Sequence, residues 1–301
     1  MTNLKNAHGL QFAVKGPDTF TVCGTTVPQL PPGAYTLSLD HTGNTYFRAK
    51  DLQVDELIDF PGSLPSRILE EIGKFWEMGP RFARYGFLHR RGYLLYGKQG
   101  CGKSSLIHQI ISNIVGQGHV AFFCENPHAF LACAEQFRQV EPDRPMVCVF
   151  EDIDAIIEHY GDSALLQWLD GNTQVNKAVN IASTNYPEKL DKRIVSRPRR
   201  FDRVMKIQEP DARMRDEYFA RKLKDQTEAE RTTWVEVSDG LPFAALAELI
   251  ISVRCLGNEL EESVKTLRAL DEDSPSSEEF GTQVSGGAES IPFEEYDEVD
   301  A

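Results

Sequence analysis

The sequence predicts an α/β protein: a parallel sheet with helices on both faces, preceded by a small β module and followed by a small helical lid. Three observations carry this. Between Gly92 and about Gln208, apolar strand-like runs (GYLLYG, HVAFFCE, MVCVFED, AVNIASTN, VMKIQE) alternate with helix-like segments, as βα units do when their strands are buried on both faces. Residues 9–50 hold β-branched and aromatic runs, TFTV and AYTLSL. There Tyr35, Leu37 and Leu39 alternate with polar neighbours, and PPG (31–33) and HTGN (41–44) supply turns. From Ala212 to Ala269 the pattern is helical, with Phe243, Leu246, Leu249, Ile250 and Val253 at helical spacing.

In chain order the divisions are a β-rich module over 1–59, an α/β core over 60–210, a helical lid over 211–270 and an acidic tail over 271–301. The core opens with a helix from Leu64, with Ile68, Ile72, Phe75 and Trp76 on one stripe, Ser66 as a cap, and Gly79 and Pro80 at its end. The tail carries eleven Asp and Glu and no Lys or Arg, so without it the net charge of -14 falls to -3. Its Ser and Gly content marks it as disordered, and its IPFEEY stretch (291–296) has the makings of a docking peptide.

The near-neutral body disfavours phosphate-driven nucleic-acid binding, although the basic stripe RFARYGFLHRR (81–91) remains a candidate ring lining. No window has the length of a membrane span and the start lacks a signal-peptide pattern, which makes the cytoplasm the default compartment, that of a host if the chain is virus-encoded. The six cysteines form no CxxC pair and read as free thiols in a reducing compartment.

GKQGCGKS fits G-x-x-x-x-G-K-[ST] between a strand (93–96) and a helix (105–115), the context this phosphate-binding loop requires. Gly97, Lys98, Gln99, Gly100, Cys101, Gly102, Lys103, Ser104 and Ser105 are the expected ATP contacts. Backbone N–H groups cradle phosphate, Lys103 reaches the terminal phosphates and Ser104 ligates Mg2+. MVCVFEDID delivers carboxylates at the C-terminal edge of a strand, where parallel sheets bind ligands. By position Glu151 is assigned to magnesium and Asp152 to polarising the attacking water, with shared or exchanged roles as the alternative, and Asp154 is structural. NIASTN ends in Asn185, whose amide is placed to orient that water.

With these motifs in order, the chain resembles the AAA family of ATPases, and within it the clade of the mitochondrial Rieske iron-sulfur protein translocase and its soluble bacterial and viral relatives. The resemblance runs from about Phe60 to Gln208 and rests on RRGYLLYGKQGCGKSSLI, FFCEN, FEDIDAI, LLQWLDG, STNYPEKLD and SRPRRFDR. It implies a P-loop sheet with a helical lid, ATP and Mg2+ as cofactors, and a homo-oligomeric ring, hexamer or heptamer. The family's usual acidic order is Asp then Glu; here it is Glu151 then Asp152. Arg197 and Arg200 match the two arginines of the family's R-P-G-R segment, which reach the γ-phosphate bound by a neighbouring subunit, and Arg199 replaces the usual glycine. The family often places a pore loop after FFCEN; Phe130 is the nearby aromatic, but it shares a helical face with Ala134 and Phe137 and reads as core. The mitochondrial member's membrane span has no counterpart in the residues before the core, so translocation across a membrane is not implied. The expected function is ATP-driven remodelling, unfolding or chaperoning of a protein client; a nucleic-acid loader or motor and a slow nucleotide-controlled assembly switch remain the alternatives.

Overall fold

The computed structural model describes residues 11–16, 19–24, 26–52, 64–170, 176–195 and 200–272. The tail beyond these, IPFEEY included, lies outside the described residues. Among the described residues no helix is long and apolar enough to cross a membrane. Two compact units divide the chain: one holds residues up to Leu95, Ser104–Thr184 and Leu190–Met205, the other Tyr96–Lys103, Asn185–Lys189 and the residues from Lys206 on.

In the first unit, β1 (Gln11–Gly16) and β2 (Thr19–Cys23) form a two-stranded antiparallel sheet of their own. The chain then runs through β3 (Gly33–Leu39), β4 (Thr45–Ala49), α1 (Leu64–Glu77), α2 (Gly79–Arg84), β5 (Arg90–Tyr96), α3 (Lys103–Gly116), β6 (Val120–Phe123), α4 (Pro127–Val140) and β7 (Met146–Phe150). It continues with α5 (Ile153–Tyr160), α6 (Ser163–Asp170), β8 (Ala178–Thr184), α7 (Lys192–Val195) and β9 (Arg203–Lys206). The main sheet has seven strands in the order β4-β3-β6-β7-β8-β5-β9, with β6, β7 and β8 in parallel register. Every residue of β6, β7 and β8 is buried, as near-continuous apolar runs require of strands covered on both faces. Among the polar residues of β8, Asn180 accepts a hydrogen bond from Trp168 Nε1 at 2.9 Å, so the indole N–H of the core is not left unsatisfied.

Local chemistry explains several boundaries. Asn126 caps α4 by accepting from the His128 and Ala129 N–H groups, with Pro127 in the first turn, where its missing donor costs nothing. Phe130 on that helix is 1% exposed and packs edge-on to Trp168 with ring centroids 4.9 Å apart, the core position that its helical spacing indicates. Gly79 and Pro80, expected at the end of a helix, instead open α2, where Pro is tolerated for the same reason.

The strand pairing differs from that of a self-contained β module over 1–59. β3 lies parallel to β6, from Gly33↔Val120 to Thr36↔Phe123, and β4 pairs antiparallel with β3, so this hairpin extends the main sheet. The physical reason is the open edge that β6 otherwise presents, with unpaired backbone groups beside an apolar face. Tyr35 and Leu37 are buried there, and the Tyr35 ring meets Phe122 at 6.3 Å. The entry to β3 is pinned by two residues of the segment between α4 and β7. Leu30 N–H donates to the buried Glu141 carboxylate at 2.9 Å, Leu30 C=O accepts from Arg144, and Arg144 and Glu141 pair at 2.9 Å.

The second unit contains α8 (Ala212–Lys222), α9 (Glu228–Val237), α10 (Phe243–Ile250), a π-helical turn (Ile251–Cys255) and α11 (Leu260–Glu272). Asp211 caps α8, and Thr227 with Glu230 forms a reciprocal capping box on α9. Phe219, Trp234, Leu241, Leu246 and Leu249 make its core.

Candidate nucleotide site

GKQGCG links the end of β5 to the start of α3. Gly100 and Gly102 have φ of 78° and 92°, a left-handed backbone that residues with a Cβ avoid and that turns successive N–H groups into one concavity. Lys103 is buried, and its Nζ donates to the carbonyls of Gly97 and Lys98, each at 2.7 Å. Lys98 reaches Glu209 at 3.3 Å. The Glu209 carboxyl is held below its usual range, first by its own backbone N–H and then by Lys98. In the first turn of α10, Ala244 N–H donates to Gly100 C=O at 3.2 Å. Nothing in the sequence pattern singled out Ala244. Cys101 is buried within the loop, while Lys98, Gln99 and Ser104 are exposed and Ser105 is half-buried.

In the first unit, Glu151 and Asp152 follow directly on β7. His108 Nε2 stands 3.9 Å from Glu151 Oε2, with both side chains largely covered. His108 is one helical turn after Ser104, so the face of α3 that carries Ser104 is the face turned toward Glu151. The i,i+4 spacing of Ser104 and His108 was a signal available in the sequence.

Asp152 sits in the left-handed region, φ 46° and ψ 54°, at the N-cap of α5. Such a conformation costs an ordinary L-residue roughly 1–2 kcal/mol, and Asp and Asn are among the few that visit it routinely. The reversed Glu–Asp order thus places at position 152 a residue better suited than Glu to this backbone. Strand β8 steadies the turn: Ser183 Oγ accepts from Asp152 N–H at 3.3 Å, and Thr184 Oγ1 donates to Asp154 Oδ1 at 2.6 Å. Asp154 therefore has a structural partner. Asn185 follows Thr184 at the strand end and is half-buried.

Of the arginines, Arg197 and Arg199 lie outside the described residues. Arg200 is described, and it is 3% exposed. Its Nε and Nη2 donate to Oδ1 and Oδ2 of Asp170 at 2.6 and 2.7 Å, and its Nη1 donates to the Arg193 carbonyl. Asp170, in WLDG, was not singled out as a site residue by its sequence position.

The donor set fits a magnesium nucleotide. In the second unit, a left-handed glycine turn with a buried lysine is of the kind that takes phosphate oxygens; in the first, the exposed Ser104 hydroxyl and the Glu151 carboxylate are of the kind that would hold Mg2+ beside phosphate and water. Bound there, Mg2+ supplies neutralisation of phosphate charge.

Fold and site together define a P-loop nucleotide-binding protein, with acidic and polar residues at the C-terminal strand ends. Residues 93–209 match the model of the ATPase family associated with various cellular activities, AAA, and constitute an AAA ATPase domain. The chain is 30% identical over 158 residues to ATPase family gene 2 protein homolog A of Homo sapiens, covering 46% of this chain and 17% of that protein. It is 29% identical over 200 residues to the mitochondrial inner membrane i-AAA protease supercomplex subunit YME1 of Saccharomyces cerevisiae, covering 60% and 26%. It is 26% identical over 249 residues to the ATP-dependent zinc metalloprotease FtsH of Corynebacterium glutamicum, covering 74% and 29%. In each case the chain spans less than a third of the relative's length.

Proposed function

We propose that the chain is a magnesium-dependent ATPase that assembles as a homo-oligomeric ring, hexamer or heptamer, and remodels, unfolds or chaperones a protein client. The observation that carries the hydrolysis is the matched domain with its glycine loop, the buried Lys103 and the Ser104-bearing face of α3 turned to Glu151. Asp152 polarises the attacking water and Asn185 orients it. Arg197, from a neighbouring copy, neutralises charge on the transferred phosphoryl group with a planar fork of donors. The ring rests on these arginines standing apart in sequence from the phosphate loop. The protein client rests on analogy with relatives whose names make them proteases. The Glu–Asp order, WLDG and SRPRR support a place in the clade of the Rieske protein translocase, and the cytoplasm is the compartment this reading assigns.

The test is a mixing experiment. Lys103→Ala and Arg197→Ala subunits, each inactive alone, recover part of the ATPase rate when mixed, because each supplies the half that the other lacks. No recovery in well-formed mixed rings would falsify the shared site. Stimulation by single-stranded or duplex DNA would point to a nucleic-acid loader instead. Turnover far below the roughly 1–10³ s⁻¹ typical of enzymes, with any client, would point to an assembly switch. A pull-down with Asp152→Asn, which holds ATP without turning it over, identifies the client.

A further inference from the structure

We infer that Arg200 is a positioning residue, anchored in its own chain by Asp170, and that it fixes the end of the Arg197-bearing segment instead of reaching a phosphate on a neighbouring copy. The guanidinium presents its donors in a rigid fork, and the carboxylate of Asp170 meets that fork with two parallel hydrogen bonds of 2.6 and 2.7 Å. The remaining edge donates to the Arg193 carbonyl. Only 4% of the Arg200 side chain is exposed, against 37% for Asp170.

The surroundings explain why an arginine is held there. Asp170 is the last residue of α6, where the helix dipole is negative and an unpaired carboxylate is unfavourable. Arg200 neutralises it, and Arg90 donates to the Trp168 and Leu169 carbonyls of the same helix end. The backbone after Arg200 is strapped down as well. Asp202 N–H donates to Gly92 C=O at 2.9 Å and Gly92 N–H donates to Asp202 Oδ2 at 3.0 Å. A Cβ on Gly92 would stand 2.0 Å from the Arg200 carbonyl oxygen, so only glycine permits this approach. For Arg200 to swing outward it must abandon two parallel bonds to a carboxylate and one to a carbonyl together. Of the two matched arginines, contact with the phosphate therefore falls to Arg197.

The inference rests on the ATPase reading for its rate readout, and a double-mutant cycle in the full-length chain tests it. Asp170→Asn, Arg200→Gln and the double variant are compared for kcat, for KM of ATP, and for binding of a fluorescent ATP analogue. Both single variants should lose about 10- to 100-fold in kcat with KM within about twofold, and the double should be no worse than the weaker single, since one contact is being removed twice. Arg200→Lys should not recover activity, because a lysine cannot satisfy the fork. Asp170→Arg combined with Arg200→Asp should recover part of it. Failure of both singles to fold, with Arg197→Ala folded and binding nucleotide, reports the same anchor more strongly. The inference is overturned if Asp170→Asn hydrolyses at the wild-type rate while Arg200→Gln is as inactive as Arg197→Ala. An inactive wild-type chain would instead sink the ATPase reading, and the cycle read in thermal unfolding would still measure the Asp170–Arg200 coupling.

Discussion

Lys103 and Arg200 are both buried cations in segments matched to nucleotide chemistry, and each is held by contacts of a different kind. Lys103 donates to two backbone carbonyls of its own loop, among its contacts, and Arg200 is forked onto a carboxylate. An ammonium on carbonyls exchanges them readily for phosphate oxygens, because those carbonyls have other ways to be solvated at a loop surface. A guanidinium in a bidentate ion pair exchanges less readily, since it must give up two parallel charge-assisted hydrogen bonds at once. The first is poised for a ligand and the second is a fastening.

The largest expected effect lies on the poised side. Lys103→Ala should lower ATP hydrolysis by at least about 1000-fold and weaken binding of a fluorescent ATP analogue, with the melting temperature unchanged within a few degrees. If the variant loses several kcal/mol of stability instead, Lys103 is a fastening too and the contrast fails. Next in size is Gly92→Ala, which drives a methyl into the Arg200 carbonyl. Overpacking of this sort costs roughly 1–3 kcal/mol, so the unfolding free energy from urea titration should drop by that much and hydrolysis should fall while nucleotide still binds. Unchanged stability would mean that the Arg200–Asp202 strap is loose.

A smaller effect is expected at the acidic turn. Exchanging Glu151→Asp together with Asp152→Glu restores the order usual in AAA ATPases but puts a less suited residue in the left-handed position. A loss of about tenfold in kcat, roughly 1.4 kcal/mol, is expected. A rate equal to or above wild type would show that the backbone at 152 does not select Asp.

The smallest effect concerns His89, which is buried among Phe75, Trp76 and Phe82 with its Nε2 2.7 Å from the Phe75 carbonyl. Burial lowers its pKa from the ordinary value, opposed by that carbonyl and assisted by Lys177. The unfolded chain therefore binds the proton more tightly than the folded one. Stability from this group is intact above the ordinary histidine pKa of about 6.5 and declines as pH falls below it, until the folded pKa is passed. Melting temperature should drop between pH 7 and pH 5, by about 2–4 °C for each kcal/mol lost, and His89→Gln should flatten the slope. His119, also lowered first by burial, titrates in the same direction, so a residual slope in the variant is expected.

Legibility followed distance along the chain. The strands β5 to β8, the glycine loop, the carboxylates after β7 and the core role of Phe130 were readable, because each is a pattern within ten or so neighbouring residues that hydrogen-bond or pack locally. His108 was nearly readable, one helical turn from Ser104. The Asp170–Arg200 fork, thirty residues apart, left no periodic trace. Nor did the seat of Ala244 on Gly100.

From its residues alone, the chain was committed to an α/β ATPase core with a loop for phosphate and acid at a strand end, since those features depend on backbone geometry and apolar period. Whether Arg200 faces outward or inward, whether β3 and β4 stand apart or widen the sheet, and which backbone Asp152 adopts were settled by packing. Charge pairing and edge closure depend on which distant groups meet, and a carboxylate thirty residues away outranks any local preference an arginine has.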